Sequence, residues 1–244
     1  MAKRPLKALF FDLDDTVYSI TDFVADARVQ AVQAMIRAGL RGDEAVIRQE
    51  LDEIVAEFGS NDENHFDKLL RRLPPEAIPE GGGLIVVAAG MVAYHQCKNR
   101  GLAPYEDAAE TLRRLKEKRL LLGIVSAGVP IKQAEKVVRL GLHHLVEARH
   151  IHITEASGVA KTNPKIYVRA CRAAGARPEE CAYIGDNPVV DVDVPHRIGM
   201  RTFLSRRSGK YVTAQGEVKP DHVIHNFWDL LEILDREYEI LPHD

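Results

Sequence analysis

The first patterned stretch of the chain is the apolar run Ala8-Leu9-Phe10-Phe11, which breaks into Asp12, Asp14, Asp15 and Thr16. Such a run, bounded by polar residues, reads as a short buried strand that delivers carboxylates to its own tip. Behind Thr16 the spacing turns helical. Val24, Ala27, Ala31, Ala34, Met35 and Ala38 recur at i, i+3 and i+7, with Gly39 as the stop. Asp43 caps a second helix whose apolar face is Ile47, Leu51, Ile54, Val55 and Phe58, and a third carries Phe66, Leu69, Leu70 and Leu73 up to Pro74-Pro75. Gly81-Gly82-Gly83 lacks the Lys-Ser/Thr of a phosphate loop and reads as a hinge-like connection. Leu84 to about Lys98 reads as a fourth helix, whose few charges predict deep burial.

From about residue 105 strands alternate with helices. A helix on Ala108, Leu112 and Leu115 leads to the run from Leu120 to Val125, which ends at Ser126; a helix over 130–140 leads to a weak strand near 150–153. The helix over 164–174 precedes Cys181-Ala182-Tyr183-Ile184, which ends at Gly185-Asp186. A helix to about Ile198, strands at 202–204 and 222–224, and a closing helix through Leu230, Leu231 and Ile233 complete the pattern. This alternation predicts an α/β fold, a doubly wound parallel sheet of the Rossmann-like kind. The helical block falls between the first and second strands, so the expected division is a core of residues 1–17 and 101–244 with an α-helical insertion over 18–100.

Composition changes this picture little. The net charge of −3 offers no positive field for nucleic acid or an anionic membrane. Cys97, Cys171 and Cys181 have no C-x-x-C spacing and read as free thiols of a reducing, cytoplasmic compartment. The apolar stretch behind Lys3, Arg4 and Lys7 meets Asp12 too soon for a signal peptide, and the run from Leu84 to Ala93 is about half a bilayer span.

Three strands end in chemistry: Asp12 and Asp14 on the first, Ser126 on the second, Asp186 on the fourth. A parallel sheet gathers such carboxyl ends along one edge. Were strand geometry to persist, Asp12 and Asp14 would point the same way, and two like charges about 4 Å apart repel by roughly 4 kcal/mol at an effective dielectric near 20. A cation would relieve that. Lys161, just ahead of a helix, and Asp191, five residues after Asp186, complete the set.

These motifs, in this order, resemble the haloacid dehalogenase superfamily, and within it the phosphatase branches with a C1-type helical cap inserted after the first strand. Its D-x-D-x-T is matched by Asp12, Asp14 and Thr16, its strand-terminal Ser/Thr by Ser126, its lysine by Lys161, and its G-D-x(4)-D by Gly185, Asp186 and Asp191. The resemblance implies an Mg²⁺-dependent phosphatase of a small phosphorylated metabolite, working as a monomer or homodimer. Asp12 would attack phosphorus and bind the metal. Asp14 would move protons through its side chain and ligate the metal through its backbone carbonyl. Asp186 would be a further ligand, with Asp191 behind it, in direct contact or through water. Ser126, Lys161 and the backbone N–H of Ala127 would hold the phosphoryl group. Ala127 departs from the family's usual Asn or Asp, which leaves that position only its backbone; Thr162 and Val192-Asp193-Val194-Pro195 also depart, and no catalytic group is lost.

Lys165 is the rival to Lys161 and reads as a surface lysine. Asn187 either orients Asp186 or caps the helix behind it, Thr16 either touches substrate or closes the loop, and Asp15 reads as solvent-facing. His143, His144, His150 and His152 read as surface or packed histidines, since no Cys or carboxylate spacing accompanies them. Arg206, Arg207 and Lys210 read as a solvated loop. The competing activities are a 2-haloacid dehalogenase, which Asp14 argues against, a phosphomutase on the same core, and a non-catalytic signalling module, which would lack the inserted cap.

Overall fold

The structure is a computed structural model that describes residues 3–59, 62–100 and 102–243, without the side chains of 98–100. In chain order its elements are β1 (Arg4–Leu6), β2 (Ala8–Phe11), α1 (Ile20–Arg37), α2 (Glu44–Phe58), α3 (His65–Arg72), α4 (Gly83–Arg100), α5 (Glu106–Glu117), β3 (Leu121–Ser126), α6 (Pro130–Arg139), β4 (Ile151–Ile153), α7 (Thr154–Ser157), α8 (Lys165–Ala173), β5 (Cys181–Gly185), α9 (Val194–Arg197), β6 (Arg201–Ser205), β7 (His222–Ile224), α10 (Phe227–Glu237) and β8 (Tyr238–Ile240). A π-helical turn, Pro188–Asp193, links β5 to α9.

Six strands form a wholly parallel sheet in the order β4-β3-β2-β5-β6-β7. It is the doubly wound α/β core that the strand-helix alternation predicts. Side-chain alternation along β2 feeds two layers. Leu9 and Phe11 pack with Leu112 and Leu115 of α5 and Leu230 and Leu234 of α10. Ala8 and Phe10 pack with Ile166, Tyr167 and Ala170 of α8 and with Tyr183 of β5. A strand covered on both faces tolerates no polar position, which is why this one reads as an unbroken apolar run. Gly123, across from Phe10 in the register, is where a Cβ would collide with the Phe10 ring. The glycine makes room for an aromatic side chain in mid-sheet.

Two short strands escape the sequence pattern. β1 and β8 pair only with each other, in parallel, joining Arg4 to Tyr238 and Leu6 to Ile240. Each is three residues long, too short to show a period of two.

By compactness the chain divides into Met1–Thr21 with Leu102–Asp244, and Asp22–Gly101. The expected split at 17 moves to Thr21, because Asp15 accepts hydrogen bonds from both the backbone and hydroxyl of Thr21 and ties it to the first unit. At the other end, Gly101 lies outside the described residues. The second unit has its own core, in which Met35, Ile47, Leu51, Ile54, Leu69 and Val86 are buried together. Its last helix departs from expectation. α4 buries Val86 and Val87 but leaves Leu84 83% and Ile85 66% exposed, with Met91 and Val92 also exposed. Absence of charge marks an apolar face without saying that anything covers it. No described helix is long and apolar enough to cross a membrane.

Candidate active site

The alternation that places Phe10 in one layer carries one residue further. Asp12 donates its backbone N–H to Ile184 O at 2.9 Å, so the pairing of β2 with β5 runs on past Phe11. Asp12 therefore emerges on the face occupied by Tyr167 and Tyr183. Lys161, 5% exposed, lies there with Nζ 3.0 Å from Asp12 Oδ2 and 2.6 Å from Asp191 Oδ1, and 5.3 Å from the centre of the Tyr183 ring. Tyr183 hydrogen-bonds Val125 O at 2.7 Å and Tyr167 hydrogen-bonds Val190 O at 2.6 Å, which fixes the floor beneath the lysine.

Asp186 follows the last residue of β5, and the π-helical turn swings Asp191 back over Gly185, where any Cβ would strike the Asp191 carboxylate. Asn187 caps that turn, accepting from Val189 N, while its own N–H donates to Asp191 Oδ2 at 3.1 Å. The two roles open to Asn187 thus resolve toward capping, and the acid that it steadies is Asp191. Carboxylate oxygens of Asp12, Asp186 and Asp191 lie within 4.8 Å of one another.

Three acids face one buried ammonium. Burial, followed by the charges of Asp191, Asp12 and Asp15, pushes the Asp186 carboxyl up to about 8 against the pull of Lys161. Burial likewise raises Asp191, despite its ion pair. For Lys161 burial works to lower the pKa, but Asp12 and Asp191 outweigh it and hold the group above its ordinary value. Asp12 Oδ1 is buried and has no hydrogen-bond partner among the described residues. An all-oxygen donor set with an orphaned carboxylate oxygen and excess negative charge fits a hard divalent cation.

Asp14 is placed differently from the simple strand extrapolation. Strand geometry does not persist as far as Asp14, whose carboxylate is bound instead by Lys136 of α6, with Nζ 2.7 Å from both oxygens, and by the Tyr18 hydroxyl. Neither Lys136 nor Tyr18 was among the candidates. Tyr18 lies one helical turn beyond Asp14 in sequence and gave a usable signal; Lys136 gave none, since it reads as an ordinary surface lysine of an amphipathic helix. Ser126, at the carboxyl end of β3, is 1% exposed, and its hydroxyl donates to Gln133 Oε1 at 3.3 Å. Ala127 behind it is exposed, as is Lys165. Thr16 is fully buried.

Asp15 corrects an expectation. It is 5% exposed, not solvent-facing, because a left-handed turn (φ 52°) folds its carboxylate onto Thr21 and against Gly209. The basic loop after β6 is likewise structured. Arg206 donates to Tyr211 O and Ala214 O, while Arg207 pairs with Asp107 at 2.5 Å and lies 3.7 Å from the Tyr105 ring centre. Of the histidines, His143 and His144 lie against each other, His152 meets Phe10 edge-on, and His150 is buried, which lowers its pKa.

The haloacid dehalogenase-like hydrolase model matches residues 6–199. A glyceraldehyde 3-phosphate phosphatase of Methanopyrus kandleri is 42% identical over 94% of this chain and 97% of its own length, and one of Pyrococcus furiosus is 40% identical over 96% and 95%. Among solved structures, a putative beta-phosphoglucomutase from Thermotoga maritima superposes with a TM-score of 0.68 over 95% of this chain and 99% of its own, at 16% identity, which speaks for the fold alone.

Proposed function

We propose, for a chain that belongs to the haloacid dehalogenase-like hydrolase family and is a phosphatase of small phosphorylated metabolites, that its substrate is a triose phosphate of the glyceraldehyde 3-phosphate class and that Asp12 is the nucleophile. One observation carries the assignment of the nucleophile. Asp12 is the acid that shares the buried Lys161 with Asp191 while keeping one carboxylate oxygen without a partner. The substrate class rests on the two relatives that match almost end to end.

A carboxylate approaches a phosphate dianion only if the charges between them are neutralised. Mg²⁺ would be held by Asp12, Asp186 and the backbone carbonyl of Asp14, with Asp191 behind them, and would supply that neutralisation. Lys161, the Ser126 hydroxyl and the N–H of Ala127 orient the phosphoryl group. An Asp12 oxygen forms a bond to phosphorus as the ester P–O bond breaks, and Asp14 gives its proton to the departing alkoxide. Asp14 then takes a proton from water, whose oxygen attacks phosphorus and frees Asp12 and inorganic phosphate. Lys136 and Tyr18 hold the Asp14 carboxylate in place for both transfers.

The test measures phosphate release with Mg²⁺ from glyceraldehyde 3-phosphate alongside phosphoserine, phosphoglycolate and pyrophosphate. Glyceraldehyde 3-phosphate should give the highest kcat/KM, and Asp12→Asn should lose about 10⁴-fold in kcat. Preference for another ester overturns the substrate class, and residual turnover near wild type overturns the nucleophile. Glyceraldehyde and phosphate as sole products separate hydrolysis from a mutase.

A further inference from the structure

At the amino-terminal edge of the sheet, opposite the acids, lies a second group of metal-ligating side chains. Glu147 precedes and His150 ends the short 3₁₀ turn Ala148–His150 that leads into β4, and His243 comes from beyond β8. The carboxyl-terminal segment is anchored there by two backbone bonds, Leu241 N to Leu6 O at 2.9 Å and His243 N to Arg119 O at 2.8 Å. One ligand atom from each of Glu147, His150 and His243 lies within 4.8 Å of the others.

Two observations make this more than a chance cluster. His150 is 2% exposed, and among the described residues neither of its ring nitrogens has a hydrogen-bond partner; His243 Nε2 is likewise buried without a hydrogen bond from them, 3.9 Å from Glu147 Oε1. Imidazole nitrogens are seldom left so in a protein interior. The three residues also line a cavity of about 160 Å³ with Lys116, Arg119 and Leu145, large enough for an ion and a water. Lys116 does not compete for that space with a free ammonium, since its Nζ is bonded to His144 O and Leu145 O.

We propose that Glu147, His150 and His243 form a second metal site, for a divalent transition-metal ion of the Zn²⁺ type, which staples the carboxyl terminus to the base of the sheet. Two imidazoles and a carboxylate suit Zn²⁺ and are poor ligands for Mg²⁺, so the site is chemically distinct from the acid cluster. Bonds of about 2.0–2.1 Å in tetrahedral geometry need ligand atoms about 3.4 Å apart, and the group must contract modestly to close. Glu147, 54% exposed and paired with Arg149 at 2.9 Å through its other oxygen Oε2, offers Oε1 to that movement together with His243, 32% exposed, while buried His150 stays as the fixed point. The fourth position faces the cavity and takes water.

The test uses the full chain in saturating Mg²⁺, so that the acid cluster is filled, and adds Zn²⁺ while following binding by equilibrium dialysis and stability by thermal melting. One Zn²⁺ should bind per chain and raise the melting temperature. His243→Ala and Glu147→Ala, both at accessible positions, should each weaken binding by at least about tenfold and abolish the thermal gain, with Mg²⁺-dependent phosphatase activity unchanged. No Zn²⁺ uptake in excess Mg²⁺, or uptake and stabilisation unaltered in both variants, overturns the site. So does stabilisation by inorganic phosphate in place of Zn²⁺, which would make the cavity an anion pocket.

Discussion

Two buried acids on the same unit show how environment divides structural from chemical use of one residue type. Asp107, 6% exposed, accepts two bonds from the Arg207 guanidinium and one from Phe227 N at 2.7 Å. Burial works to raise its carboxyl, but these donors outweigh it and hold the pKa below the usual range. Asp186 is 5% exposed and meets other carboxylates instead, and it is pushed up to about 8. A satisfied carboxylate adds stability to the fold. A crowded one costs stability, and the cost is tolerable only where a ligand later meets the charge.

Breaking the satisfied member should have the largest effect on stability. Asp107→Asn leaves Arg207 without its partner and should cost about 2–4 kcal/mol in denaturant unfolding, with kcat unchanged below the melting range. Because the Asp107 pKa is lowered on folding, its contribution is present above the unfolded value of about 3.9 and is lost as pH falls through the folded one. The gap between wild type and variant should therefore narrow on acidification. A constant gap would mean that packing, not charge, is what Asp107 supplies.

On the reactive side, Lys136→Met should lower kcat about tenfold by freeing the Asp14 carboxylate, with little change in unfolding midpoint. A loss of stability without a loss of kcat would reassign Lys136 to the fold. The smallest effect sharpens the contrast itself. The Asp186 pKa is raised on folding, so the folded chain keeps a proton that the unfolded chain releases near 3.9, and metal-free stability should fall as pH climbs from about 4 to about 8. Mg²⁺ favours the ionised form, so the melting-temperature gain it gives should be greater at pH 8 than at pH 5 by about 2–4 °C, the shift that about 1 kcal/mol produces in a chain of this size. Equal gains at both pH values would place the cation elsewhere.

The sequence made the core legible because a sheet covered on both faces must write its strands as apolar runs, as in Leu9-Phe10-Phe11 and Leu121-Leu122. It also showed which acids share an edge, since every strand of a parallel sheet ends on the same side. What it hid depends on distance along the chain or on a single backbone turn. Lys136 reaches Asp14 from 122 residues away, and His243 reaches Glu147 only because β8 pairs with β1. Asp15 looked like a loop acid until its left-handed φ turned it inward. On α4, the few charges predict deep burial, yet Leu84 and Ile85 are exposed.

The place of β2 within the sheet also sets the order in which the molecule can be assembled. Ala8 takes its register from Leu121 on one side and Cys181 on the other, and both are made long after it. The whole helical unit is synthesised before either neighbour exists, and no nascent chain shorter than the one that includes β5 can close both edges of its central strand. An apolar ribbon with open edges must therefore wait until β5 is made. The carboxylates at its tip acquire their chemistry only when that wait ends.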